Sequence, residues 1–94
     1  MPPLTGFAYS EKALRFLEKA PKKHRPQITK KIDALINNPR PTGSKKLEGV
    51  TDGDYPVIRI RSGKYRILYS IRVNPVPIVI LNIDNRKDVY RGKG

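Results

Sequence analysis

The chain contains no cysteine and a single histidine, His24. The first absence excludes a disulfide framework and cysteine-held zinc, and points to a reducing compartment, the cytoplasm. The second excludes a multi-histidine metal centre, so no metal and no cofactor are expected. No apolar run approaches the ~20 residues that cross a bilayer, and the opening MPPLTG lacks the basic-then-apolar order of a secretory signal. Hydrophobic residues are only 37% of the 94, which predicts one thin, two-layer domain over residues 1–94 rather than a deep core. Acidic groups are few as well: 8 against 20 basic. Glu11, Glu18, Asp33 and Glu48 are scattered over helix and loop positions, with no carboxylate pair of the kind a glycosidase or a two-metal nuclease requires. Ser10, Ser44, Ser62 and Ser70 show no nucleophile-elbow context.

What is abundant is positive charge, +12 in net. It is uneven: residues 21–46 hold eight basic groups and one acidic, against three and two in residues 1–20. A domain this small and basic predicts a polyanionic partner, nucleic acid first. A membrane surface is less well supported, because no amphipathic helix with aromatic anchors is found. An acidic protein is the third option and is compatible with the first.

Leu4 to Tyr9 reads as a short edge strand. Ser10 is a helix N-cap with Glu11 in the first turn. Ala13, Phe16, Leu17 and Ala20 follow at helical spacing, with Leu14 widening the stripe, until Pro21 ends the helix. A second helix carries Ile28, Ile32, Leu35 and Ile36 on its apolar face and starts no earlier than about Lys23, because Pro26 must lie in its first turn. Asn37-Asn38-Pro39 stops it. Lys22, Lys23, Arg25, Lys30 and Lys31 lie on or beside its polar side, and His24 reads as a solvated residue at its start. Arg40 to Asp54 reads as a long loop with Leu47 tucked into the core.

Tyr55 to Ile71, YPVIRIRSGKYRILYSI, then reads as a hairpin around Ser62-Gly63-Lys64. Alternation puts Tyr65, Ile67, Tyr69, Ile71 and Val73 on one face and Arg66, Leu68, Ser70 and Arg72 on the other. Ile58 and Ile60 oppose Val57, Arg59 and Arg61. Every charge in the hairpin is positive, and like charges on a stiff sheet call for an anion facing them. Asn74-Pro75 marks a turn, and the apolar run from Pro77 to Ile83 predicts a central strand covered on both sides. The order is β-αα-βββ. The fold class is α+β: an antiparallel sheet with an αα-hairpin on one face.

Arginine, lysine and tyrosine are the groups left to carry chemistry. Guanidinium groups fork onto phosphate and stabilise charge that builds during transfer; tyrosine stacks on a base or hands over a proton. RNA brings its own nucleophile, the 2′-hydroxyl. Arg61 reads as a turn-flanking charge, Tyr65 and Tyr69 as core, Lys30 and Lys31 as a solvated face with general attraction to RNA, and mid-strand Arg66 as functional.

The succession KKLEG, YPVIRIRSGKYRILYSI, an apolar strand and NRKDVYRG resembles the RelE branch of the RelE/ParE superfamily of type II toxins, over nearly the whole chain. The resemblance implies an mRNA interferase that enters the ribosomal A site and cleaves mRNA there without metal, by 2′-hydroxyl attack. It also implies a RelB-like antitoxin, with operator DNA met only through the antitoxin complex, and mRNA and rRNA as targets. It places Arg66, Arg59, Arg86 and Tyr90 in the catalytic set. Lys45, Lys46, Arg61, Lys64, Lys22, Lys23, Arg25, Lys30 and Lys31 are the RNA- and ribosome-binding candidates. Two positions depart from the pattern: Val57 stands where some members have a basic residue, and Asn85 where many have histidine. Lys45, Lys46 and Tyr90 are the candidate proton acceptors. A ParE-like inhibitor of DNA gyrase and a catalytically inactive homologue are the alternatives.

Overall fold

A computed structural model of the chain describes residues 7–72 and 77–85. The expected strand residues Leu4 to Gly6, the Asn74-Pro75 turn, Arg86 and Tyr90 lie outside the described residues. The elements are β1 (Phe7–Tyr9), α1 (Glu11–Lys19), α2 (Arg25–Asp33) with a short 3₁₀ turn (Ala34–Ile36), β2 (Lys45–Asp52), β3 (Tyr55–Ser62), β4 (Tyr65–Ile71) and β5 (Ile78–Asn85). One sheet has the order β1-β5-β4-β3-β2. The class is α+β as expected, with two differences. The sheet is mixed, because β1 runs parallel to β5. The expected Arg40–Asp54 loop contains a fifth strand, β2, antiparallel to β3.

α1 begins as its sequence dictates. Ser10 Oγ accepts the Ala13 amide at 3.0 Å and donates to the Leu81 carbonyl at 2.6 Å, so the capping residue also fastens the helix to β5. Ala20 leaves helical geometry just before Pro21. α2 opens with Pro26 in its first turn, where the missing amide proton costs nothing. Its last turn tightens to three residues per turn. Ile32 and Leu35 then stay stacked on the core while Ile36 turns out to 36% exposure, against its expected place on the apolar face.

Both helices cover one face of the sheet. Ala13, Ile28, Ile32 and Leu35 pack on Ile58, Ile60, Tyr65, Ile67, Tyr69, Ile78, Ile80 and Ile83. Each fully buried aliphatic side chain contributes roughly 1.5–3 kcal/mol to holding the layers together. Leu47 is only half-buried and stands outside this core.

β3 and β4 are joined by Gly63-Lys64, with Ser62 paired to Tyr65. Gly63 has φ +60°. Positive φ at the first central residue alone is the type II′ pattern, whose twist suits a two-residue hairpin. A Cβ on Gly63 would stand 2.9 Å from Gln27 Nε2, the mobile end of an exposed side chain, so it is the positive φ that calls for glycine here. β5 is internal, as expected, but not covered on both sides: Ile78, Ile80 and Ile83 are buried while Val79, Leu81 and Asn82 are half-buried. The step from 80 to 83 breaks strict alternation because Tyr69 pairs with Ile80 and Leu68 with Asn82, which leaves Leu81 as an extra residue. This β-bulge keeps isoleucine on the core face on both sides of it.

Candidate nucleic-acid interface

The face of the sheet turned away from the helices carries the basic residues, and strand register arranges them in rows. Lys45 pairs with Arg59, Arg59 with Leu68, and Leu68 with Asn82. In the next row Arg61 pairs with Arg66 and Arg66 with Asp84. Paired residues share a face, so four cations and one carboxylate converge on these two rows. Neighbouring rows are about 7 Å apart along the strands. Like charges directly across a strand pair are destabilising, and both Lys45–Arg59 and Arg61–Arg66 are such pairs.

Arg66, the strongest candidate in the sequence, lies on this helix-free face with its side chain 22% exposed. Its Nε donates to Asp84 Oδ1 at 3.2 Å, and Nη2 lies 3.5 Å from Oδ2. Arg61 is exposed. Arg59 is half-buried at the centre of the first row. Val57, where the sequence departs from an expected basic residue, alternates with Arg59 and Arg61 on the helix-free face and is 3% exposed there.

Two acids on neighbouring strands answer part of the positive charge carried by the hairpin and Arg72. Asp84 of β5 pairs with Arg66, and Asp52 of β2 forms an ion pair with Arg72, whose guanidinium also lies 4.6 Å over the Tyr55 ring. A carboxylate ending an apolar strand, as in ILNID, was the available signal: such a group is costly there unless paired.

The pairing of β2 with β3 ends at Lys45–Arg59. Beyond it, a cleft of about 330 Å³ opens between β3, α2 and the loop before β2, lined by Lys31, Thr42, Gly43, Arg59 and Arg61. A second, of about 400 Å³, adjoins it and adds Lys30, Gln27 and Gly63. Lys30 and Lys31 thus continue the basic surface around the sheet edge. Lys46 does not join it: it pairs with Ile58 and so belongs to the opposite face.

Other candidates are placed elsewhere. Arg25 turns inward, its Nη2 donating to the carbonyls of Glu18 at 3.0 Å and Ala20 at 3.1 Å. It satisfies the open end of α1, whereas Lys22 and Lys23 are exposed. Lys64 stands at the hairpin turn, 5.8 Å over the Tyr65 ring. His24 is not solvated as expected. It is half-buried and meets Tyr65 edge-on, with ring centres 5.4 Å apart, while Phe16 meets the same ring at 5.5 Å.

Tyr65 and Tyr69 are core residues, 3% and 0% exposed. Tyr69 Oη donates to the Pro39 carbonyl at 2.6 Å. Burial pushes its phenol up to about 12, against the opposing pull of Arg40 and the Ser44 hydroxyl. It is a fastener for the loop that borders the basic cleft, not a proton carrier. Burial, with the Asp33 carboxylate adding to it, also raises the Tyr9 phenol. Among the described residues no three His, Asp or Glu side chains gather to hold a metal, and no helix is long and apolar enough to cross a membrane.

Residues 7–90 match the family described as ParE toxin of type II toxin-antitoxin system, parDE. No curated protein matches the chain. Among solved structures, the archaeal RelE–RelB complex from Pyrococcus horikoshii shares 30% identity, covering 86% of this chain and 93% of that one, with a TM-score of 0.70. The isolated E. coli RelE toxin shares 27% identity over 94% of this chain and 93% of its own, with a TM-score of 0.66. The toxin-antitoxin complex RelBE2 from Mycobacterium tuberculosis shares 27% identity over 86% and 96%, with a TM-score of 0.69. A match across nearly the full length, on the same sheet and helices, makes this chain a member of the RelE/ParE superfamily of type II toxin-antitoxin toxins, on its RelE branch.

Proposed function

We propose that the chain is a metal-independent endoribonuclease that cleaves mRNA in the ribosomal A site. The observation that carries this reading is the helix-free sheet face, where Arg66 stands with Arg59 and Arg61 on rigid backbone. The 2′-oxygen of one nucleotide attacks the adjacent phosphorus, its proton leaves, and the bond to the next 5′-oxygen breaks. The products are a 2′,3′-cyclic phosphate and a 5′-hydroxyl, which takes up a proton. Arg66 and Arg59 bind the scissile phosphate and stabilise the charge that builds on its oxygens. Arg86 and Tyr90, outside the described residues, complete the proposed set by resemblance. Of the two lysines considered as proton acceptors, Lys45 shares the face with Arg59 and Lys46 does not.

Lys45, Arg61, Lys30 and Lys31 hold the RNA and rRNA backbone around the centre, with Lys22, Lys23 and Lys64 adding general attraction. The partner that restrains the activity is a RelB-like antitoxin, since related toxins are seen as complexes with RelB, and operator DNA is met only through that complex. The setting is the cytoplasm, where ribosomes translate.

Primer extension on an mRNA translated by purified ribosomes tests the reading. Cuts inside the A-site codon, persisting in EDTA, are expected from the unmutated protein, and Arg66→Ala lowers the rate by roughly 10²–10³-fold. Uncut mRNA combined with inhibited DNA supercoiling would identify a gyrase inhibitor instead. Uncut mRNA with unaffected gyrase would identify an inactive homologue.

A further inference from the structure

Resting on the endoribonuclease reading, we infer that Asp84 is a positioning residue for the reaction: its carboxylate holds the Arg66 guanidinium side-on, so that the remaining donors point to the scissile phosphate. The pair joins neighbouring strands in register, and both side chains are 22% exposed. The contact uses Arg66 Nε and Nη2. A guanidinium carries five N–H donors in a planar fork, so a carboxylate on the Nε edge leaves both Nη1 protons and one on Nη2 for an anion.

Attraction to RNA gives no reason for an acid here. A protein of net charge +12 built to meet RNA gains nothing in attraction from a carboxylate in the row that holds Arg61 and Arg66. The acid relieves the repulsion between those two arginines and fixes one of them. A long arginine side chain has much rotamer freedom to lose, and restricting it beforehand lowers the cost of reaching the transition state. Arg61, exposed and across the strand from Arg66, is left as the mobile cation that captures the strand. Arg66 is the fixed one that acts on it.

This division of labour separates binding from chemistry. In Asp84→Asn the amide keeps the shape and removes the negative charge. The expected result, measured by single-turnover cleavage of ribosome-bound mRNA, is a rate constant lowered 10–100-fold with a half-saturating concentration unchanged or lower. In an Arg66→Lys background, where the fork is already lost, Asp84→Asn changes the rate less than twofold. Asp84→Glu recovers part of the rate. Thermal melts of the variants show whether each still folds. Cleavage by Asp84→Asn as fast as by the unmutated protein overturns the inference and leaves the endoribonuclease reading standing. So does a loss carried entirely by weaker binding, or an equal loss in the Arg66→Lys background. No cleavage by the unmutated protein overturns both.

Discussion

Tyr69 and Arg25 show how single side chains support the basic surface without touching a ligand. Tyr69→Phe removes one buried hydrogen bond to the Pro39 carbonyl and is expected to cost about 1 kcal/mol in urea unfolding. The loop of residues 37–44 should then be cut faster by protease. The raised phenol adds a pH signature. The unfolded chain ionises this tyrosine near 10, the folded chain only near 12. The unfolded state therefore holds fewer protons between those values, and stability falls as pH rises through that window, by at most roughly 3 kcal/mol for a two-unit shift. Stability measured from pH 9 to 12 should show the fall in the unmutated protein and less of it in Tyr69→Phe. Arg25→Ala should lower stability by roughly 1–2 kcal/mol, because two carbonyls at the end of α1 lose their donor, while changing RNA affinity less than twofold in a filter-binding assay. At this scale the sequence was readable where a rule is local. The Ser10 cap, the Pro21 stop and the burial of Tyr65 and Tyr69 follow from neighbours within a turn or a strand. The roles of Arg25, His24 and Asp84 were not readable, because each is set by a group on another element.

At the scale of elements, β2 decides which lysine shares a face with Arg59. Lys45 is in register with Arg59 and Lys46 with Ile58, so one substitution should matter and its neighbour should not. Lys45→Ala is expected to slow mRNA cleavage at least tenfold, and Lys46→Ala less than twofold, in the same primer-extension assay. Equal effects would show that the register does not select. β2 itself escaped detection in the sequence because it is an edge strand whose residues are nearly all exposed. With no face to bury, KKLEGVTD needs no alternation, and alternation is the signal by which strands are read. The hairpin was legible for the opposite reason: its apolar face is the core and its turn demands glycine.

The molecule as a whole is a cationic sheet backed by helices, so its encounter with RNA should be governed by ion release. With Lys45, Arg59, Arg61 and Arg66 meeting three or four phosphates of a single strand, log K should fall against log salt with a slope of about −2 to −3. Fluorescence anisotropy from 50 to 300 mM KCl checks this. Arg61→Ala should reduce the slope by about 0.7, and Arg66→Ala by less, since Asp84 already offsets that charge. A slope near zero would contradict an electrostatic interface. The overall class and the helix-covered face were readable from the order of elements. The parallel placement of β1 was not, because three residues carry no mark of strand direction.

The extra residue in β5 has a consequence for what lengths the chain can tolerate. Leu81 has no partner across the ladder, and Asn82, Ile83 and Asp84 resume pairing beyond it. Removing Leu81 would straighten the strand and still leave Asp84 beside Arg66, at the expense of the carbonyl that receives the Ser10 hydroxyl. Smoothing the strand while retaining Leu81 would slide everything after it by one place. Asn82 would turn inward, and Ile83 would be presented where the carboxylate now meets the guanidinium. A shortening there is therefore survivable, while an unchanged sequence in the wrong alignment is not.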